Sequence, residues 1–73
     1  MEKKECEKLV REGKRIVTPL EYNGGFWEFF INYNSLNPKL CAHHTGGYPE
    51  PRLIEEESKL LTSAFLYKMK DNI

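Results

Sequence analysis

The dipeptide Asn23-Gly24 constrains the fold of this chain more than any other feature, because it separates two runs rich in apolar and aromatic residues. A type I′ hairpin turn requires positive φ at both of its central residues, and Asn-Gly is among the dipeptides that adopt it most readily. If these two residues form the turn, Thr18 lies opposite Phe29 and the rest of the register follows. The sequence therefore predicts an antiparallel hairpin over residues 15–33.

Side-chain alternation supports this hairpin, because one face becomes nearly all apolar while the other is mixed. Pro19 has no N–H to donate to a further strand, so we expect the first strand to lie at an edge of the sheet. The predicted core face carries Ile16, Thr18, Leu20, Tyr22, Trp27, Phe29, Ile31 and Tyr33. The predicted mixed face carries Arg15, Val17, Pro19, Glu21, Phe26, Glu28, Phe30 and Asn32.

A third extended run, PKLCAHH, follows a polar turn. If Tyr33 pairs with Pro38, the third strand places Leu40 and Ala42 on the core face. The same register places Cys41 on the mixed face.

A helix is predicted at each end of the chain. Cys6, Leu9 and Val10 form an apolar stripe over residues 2–12, and Gly13 stands where a C-terminal cap belongs. The second helix is expected to begin at Pro51, since proline suits the first helical turn. Its apolar stripe consists of Leu53, Ile54, Leu60, Leu61, Ala64, Phe65 and Met69.

These elements predict one small α+β domain over residues 1–73, in the order α-β-β-β-α. The three-stranded antiparallel sheet has the order 1-2-3, and both helices pack on one of its faces. No apolar leader and no apolar run of about 20 residues is present, so we expect a cytoplasmic protein without a membrane partner. The small size also fits accessory proteins of phages and mobile elements, although no residue pattern indicates such an origin.

The segment CAHHTGG places one cysteine and two histidines close together. Cys41 and His43 project to the same side of the third strand and Glu28 lies opposite His43, so a metal site formed by these three residues is one hypothesis. Spacings typical of zinc sites are absent from the sequence. The simpler interpretation is that Cys41 fills a half-buried position, His43 pairs with Glu28, and His44 packs near Trp27. We predict no catalytic residue and no cofactor.

The preferred hypothesis is a non-enzymatic module that binds a protein partner, or itself as a homodimer, through the mixed face. Two aromatic side chains, Phe26 and Phe30, would face solvent there if both helices cover the opposite face, and exposed apolar patches often mark binding sites. The residues expected to bind the partner are Val17, Phe26, Glu28, Phe30, Cys41 and His43.

Nucleic-acid binding is the alternative, with the sheet aromatics stacking on bases and Lys14, Arg15 and Lys39 contacting phosphates. The predicted element order is similar to that of double-stranded RNA-binding domains. However, the predicted second helix begins with the acidic run EPRLIEEES, where a phosphate contact would need lysines. The 11 Lys and Arg residues balance the 11 Asp and Glu residues, which also argues against a nucleic-acid partner.

Overall fold

The computed structural model describes residues 1–19, 25–34, 36–46 and 50–68, so the predicted turn at Asn23-Gly24 lies outside the described residues. The described residues form an α+β protein with two helices and a five-stranded antiparallel sheet. The elements are α1 Lys3–Arg11, β1 Ile16–Thr18, β2 Trp27–Asn32, β3 Lys39–His44, β4 Arg52–Leu53, α2 Lys59–Thr62 and β5 Phe65–Leu66.

The strands lie in the order β4-β3-β2-β1-β5. The predicted three-stranded sheet is therefore the centre of a wider sheet that has one more strand on each side. β1 lies inside the sheet, because it pairs with β2 on one side and with β5 on the other. The prediction that Pro19 marks an edge strand is wrong, since Pro19 follows the last residue of β1 and takes no part in the ladder.

The register between β1 and β2 differs from the prediction by two residues. Thr18 lies opposite Trp27 and Val17 opposite Glu28, whereas the turn chemistry predicted Thr18 opposite Phe29. A slip of two residues keeps every side chain on the same face, because side chains alternate with a period of two. For the described residues of β1 and β2 the two faces are therefore as predicted, although the ladder is not. Leu20, Glu21 and Tyr22 lie outside the described residues.

The register between β2 and β3 confirms the prediction. Leu40 lies opposite Ile31 and Ala42 lies opposite Phe29, and all four side chains are buried. Tyr33 was also expected on the core face, but it is 64% exposed because β2 ends one residue before it.

The hydrophobic core lies on one side of the sheet, and both helices contribute buried residues to it. The N-terminal amine of Met1 donates to the carbonyl of Leu61 at 2.8 Å, which ties the start of the chain to α2. The core consists of Cys6, Ile16, Trp27, Phe29, Ile31, Leu40, Ala42, Ile54, Leu60 and Leu61.

Helix α1 ends as the sequence predicts. Gly13 has a φ of 88°, a left-handed conformation that glycine adopts without a steric penalty. Its N–H donates to the carbonyl of Val10, and the N–H of Lys14 donates to the carbonyl of Leu9, both at 3.0 Å. These two bonds form a Schellman motif, which satisfies carbonyls that the helix end would otherwise leave without a partner.

The prediction of a long second helix is wrong, because two short strands and one helical turn occupy that segment. The predicted stripe has no apolar residue between Ile54 and Leu60, so helical packing is interrupted there. Ser58 starts α2 instead of Pro51, and its hydroxyl accepts a hydrogen bond from the N–H of Leu60 at 3.2 Å. Of the predicted stripe, Leu53 and Phe65 are exposed and Met69 lies outside the described residues.

Candidate partner-binding face

The side of the sheet opposite the core carries aromatic, apolar and charged side chains, and we call it the open face. Both described helices lie on the other side, where they contribute to the core. The open face is formed by Arg15, Val17, Phe26, Glu28, Phe30, Lys39, Cys41, His43, Leu53, Phe65 and Tyr67.

All of the residues that the sequence predicts for partner binding lie together on the open face. Two of them form its floor, since Val17 is 4% exposed and Cys41 is 6% exposed. Above this floor, Phe26, Glu28 and Phe30 are half-buried, while His43 is exposed. The floor is therefore packed within the sheet, and the surrounding side chains remain accessible to a partner.

Three large side chains of the open face were missed because they belong to the segment predicted as a helix. Leu53 lies opposite Cys41 and Phe65 lies opposite Val17 in the ladders of β4 and β5. Tyr67 follows β5, and its N–H donates to the carbonyl of Arg15 at 2.9 Å. The spacing of Phe65 and Tyr67, two residues apart in SAFLYK, is a strand signal that could have revealed them.

An apolar groove crosses the open face between β2, β1 and β5. Its volume is about 260 Å³, and its walls are entirely apolar among the described residues. The aromatic walls belong to different strands, so the groove exists only because β5 joins the sheet beside β1. The groove is lined by Val17, Pro19, Phe26, Phe65 and Tyr67.

Arg15 lies at this groove and links two of its three aromatic residues. Its guanidinium carbon is 4.9 Å from the centre of the Tyr67 ring and 5.6 Å from the centre of the Phe26 ring. Its Nη2 is 3.0 Å from Oε1 of Glu28, and its Nε donates to the same oxygen at 3.1 Å. Cation–π contacts of this kind contribute about 0.5–1 kcal/mol each at exposed sites. A positive charge is thus held at the margin of an apolar groove.

A second aromatic contact lies towards β3. The rings of Phe30 and His43 meet edge to face, with their centroids 5.4 Å apart and an interplanar angle of 77°. His43 lies opposite Glu28 in the ladder, as predicted. Within this cross-strand pair, each side chain also has another partner: the Glu28 carboxylate bonds to Arg15, and the His43 ring packs on Phe30.

The metal hypothesis gains no support from this arrangement. Within the described part of the chain, no three His, Cys, Asp or Glu side chains are placed so that they could hold a metal ion. Glu28, Cys41 and His43 are neighbours in the sheet, but Glu28 is committed to its ion pair. Both cysteines are free thiols, and Cys6 lies on the core side of the sheet, opposite Cys41.

His44 has the structural role that the sequence predicts. It is buried, and its ring meets Trp27 edge to face with the centroids 5.0 Å apart. Its Nδ1 accepts a hydrogen bond from the N–H of Gly46 at 2.9 Å, which requires an unprotonated Nδ1. Residues 41–46 of CAHHTGG are therefore the end of a strand that runs into a turn, with His44 closing that turn.

The cations expected to contact phosphates do not form one cluster. Lys14 follows the cap of α1, Arg15 is engaged by Glu28, and Lys39 lies on β3 opposite Asn32. β2 separates β3 from β1 in the sheet, so Lys39 is two strands away from Arg15. The three residues therefore do not define a continuous path for a phosphate backbone.

Comparison with protein-family models, curated proteins and solved structures gives no match for this chain. The helices among the described residues are too short and too polar to cross a membrane. The function is therefore inferred from the geometry of the open face.

Proposed function

We propose that this chain is a non-enzymatic interaction module that binds a protein partner through the open face. The observation that carries this proposal is the apolar groove, whose aromatic walls stand beside the Arg15–Glu28 pair. Residues that dominate binding energy in protein interfaces are enriched in Tyr, Trp and Arg, and they cluster in well-packed pockets. The open face has this composition and shape.

The exposure of the aromatic side chains supports the proposal. Phe65 is 48% exposed and Tyr67 is 44% exposed, so a partner that covers them would bury additional apolar surface. Removing apolar surface from water contributes roughly 25 cal/mol for each Å². Their backbones are fixed by pairing with β1, so they lose little conformational freedom when a partner binds.

The size of the face limits any interface that the strands form alone. The 19 strand residues among the described ones, each covering about 3.3 Å along a strand and 4.8 Å across it, present roughly 300 Å² on each molecule. Two such faces would bury about 600 Å² in total, which is below the roughly 1,000 Å² expected of a specific interface. We therefore expect self-association through this face alone to be weak, and light scattering across a concentration series would measure it. A separate partner must also contact the margins of the sheet.

Affinity purification from cells of the natural source tests the proposal. The wild type is compared with a double variant, Phe65→Ser with Tyr67→Ser, which removes two walls of the groove. The matched control is Leu36→Ser with Tyr33→Ser, because these side chains are 101% and 64% exposed and lie off the open face. We expect the partner to be retained by the wild type and by the control and lost from the open-face variant.

Loss of the partner from both double variants, or from neither, would contradict the proposal. Both variants must first give the folded spectrum by circular dichroism, so that loss of binding is not loss of structure. The two variants remove one tyrosine and one large apolar residue each, which makes their effects on solubility comparable.

A nucleic-acid ligand is the second candidate, because Arg15 lies next to aromatic rings on a sheet surface. Single-stranded nucleic acids bind to such platforms by base stacking. Here, however, the guanidinium already lies over the Tyr67 and Phe26 rings, and Glu28 adds a negative charge beside them. Titration with single- and double-stranded RNA and DNA at low salt tests this candidate, and salt-sensitive binding would favour it.

A further inference from the structure

The groove has a size that suits one anchoring side chain. Its volume of about 260 Å³ lies just below the roughly 300–1,000 Å³ of pockets that enclose a whole small molecule. Protein interfaces commonly place a single aromatic or large aliphatic anchor in a pocket of this kind. Because the walls formed by the described residues are apolar, we expect the group that enters the groove to be apolar as well.

The charges around the groove indicate what flanks that anchor. Among the described residues, Glu28 is the one acid on the open face, and Arg15 already neutralises it. Lys39 adds a positive charge to this face, and the exposed Lys14 and Lys68 lie near the Arg15–Tyr67 pairing. Of the other described acids, Glu5 and Glu7 belong to α1 on the helical side of the sheet. Glu55 and Glu57 lie beside Leu53 at the β4 edge, which is the edge of the sheet away from the groove.

Arg15 has donors left for a second carboxylate. A guanidinium carries five N–H bonds, and its contacts with described acceptors involve Nε and Nη2 facing a single oxygen of Glu28. Its side chain is 45% exposed, so an incoming group can reach it. Hydrogen bonds between charged partners are about twice as strong as those between neutral ones.

We infer that the partner presents one large apolar side chain flanked by carboxylates, the apolar group entering the groove and a carboxylate binding Arg15. This inference rests on the proposed function and specifies the chemistry of the partner. A second copy fits less well, because among its described residues the open face carries the same excess positive charge and its one carboxylate, Glu28, is already paired with Arg15. A nucleic acid also fits less well, because the groove admits one side chain and Arg15 covers the ring faces on which bases would stack.

Nuclear magnetic resonance titration of the ¹⁵N-labelled protein with three capped hexapeptides tests the inference. DDWLDD carries the anchor and the acids, KKWLKK reverses the charge, and DDSSDD lacks the anchor. We expect DDWLDD alone to shift the amide signals of Val17, Phe26, Phe65 and Tyr67. Oligothymidine, titrated in parallel, reports the nucleic-acid alternative.

Two charge-matched variants locate the acidic contact. Arg15→Gln should weaken DDWLDD binding about tenfold, since a hydrogen bond to a charged group is worth about 1.5 kcal/mol or more. Lys4→Gln removes the same charge from an exposed position on α1, on the opposite side of the sheet, so it should change the affinity less than twofold. Both variants leave the core untouched.

Several results would overturn the inference. Equal binding of KKWLKK, equal binding of DDSSDD, or equal weakening by Arg15→Gln and Lys4→Gln would each contradict it. Absence of any shift at millimolar DDWLDD, or tighter and salt-sensitive binding of oligothymidine, would do so as well. If purification still depends on Phe65 and Tyr67 while the hexapeptides fail, the inference falls and the proposed function stands.

Discussion

Arg15 and Glu28 form an ion pair that joins β1 to β2 on the open face, with Nη2 and Nε at 3.0 and 3.1 Å from the same carboxylate oxygen. The side chains are 45% and 29% exposed, so water and salt screen the pair. The stacking of Arg15 on Tyr67 extends the connection to the residue that follows β5. The pair therefore organises the open face more than it stabilises the fold.

A double-mutant cycle measures how much the Arg15–Glu28 pair contributes to the stability of the fold. Arg15→Gln, Glu28→Gln and the double variant should give a coupling free energy of about 0.2–1 kcal/mol in urea unfolding, because exposed ion pairs contribute little. The coupling should fall in 1 M NaCl, where screening is strong. A cycle between Glu28→Gln and Lys39→Gln is the control, with no coupling expected. A salt-insensitive Arg15–Glu28 coupling above about 2 kcal/mol would contradict the structure.

Two adjacent residues test the segment that the sequence misassigned. Ile54 is fully buried in the core, whereas Leu53 is 46% exposed on the open face. Ile54→Ala should therefore lower the free energy of unfolding by about 2–5 kcal/mol, and Leu53→Ala by well under half of that. In a helix with both residues in one apolar stripe, the two substitutions would have similar effects. Urea unfolding followed by circular dichroism distinguishes these outcomes.

The features that were predictable from the sequence are those that depend on local patterns, namely the alternation of side chains along a strand and the cap of a helix. The alternation of side chains assigned Trp27 and Phe29 to the core and Phe30 to the opposite face, and both assignments hold. The cap at Gly13 was also predictable, because left-handed backbone at a helix end favours glycine. Side chains alternate between the two faces with a period of two residues, so an error of two residues in the β1–β2 register leaves each side chain on its predicted face.

The sequence did not reveal the two outer strands of the sheet, β4 and β5, because they are short and their positions depend on pairing with other strands. β4 and β5 have two residues each, so neither shows a period of its own. Their pairing with β3 and β1 fixes them, and the β1–β5 pairing joins Ile16 to Leu66, which lie far apart in the chain. For this reason the Phe65 and Tyr67 walls of the groove were hidden inside a predicted helix. The half of the open face on β2 and β3 was predicted, and the half on β5 was not.

Glycine is required at position 25 because the surrounding atoms leave no room for a side chain, rather than because of its backbone conformation. An added Cβ would lie 2.6 Å from Oγ1 of Thr45 and 2.7 Å from the backbone nitrogen of Gly46. Relief requires the backbone to shift, because Gly46 has no flexible end that could move. We expect Gly25→Ala to destabilise the protein by about 1–3 kcal/mol, as overpacking does. Thermal unfolding measures the change.

Gly13→Ala is a contrasting prediction, since nothing lies within 4 Å of an added Cβ there. Its cost arises from the φ of 88°, and a left-handed alanine costs about 1–2 kcal/mol. Gly13→Asn should recover part of that loss, because asparagine tolerates this conformation better. No rescue by asparagine would argue against the left-handed cap. Unfolding in urea provides the comparison.

Burial raises the pKa of the Cys6 thiol from 9.0 to about 11, and the nearby carboxylate of Glu7 adds to this effect. Between pH 9 and 11 the unfolded chain releases the thiol proton while the folded protein keeps it. The contribution of Cys6 to stability is therefore complete below pH 9 and is lost as the pH rises through 11. One pH unit of this interval corresponds to about 1.4 kcal/mol, so the loss should reach up to about 3 kcal/mol.

The free energy of unfolding is measured from pH 8 to pH 11 for the wild type and for Cys6→Ala. Lysines and tyrosines titrate in the same interval, and the alanine variant corrects for their contribution. The wild type should lose more stability than the variant over this range. In a Cys41→Ala background, Ellman's reagent should modify Cys6 only as fast as the protein unfolds, since the thiol is fully buried. Parallel stability curves, together with rapid modification of the folded protein, would show that Cys6 is accessible and would contradict its place in the core.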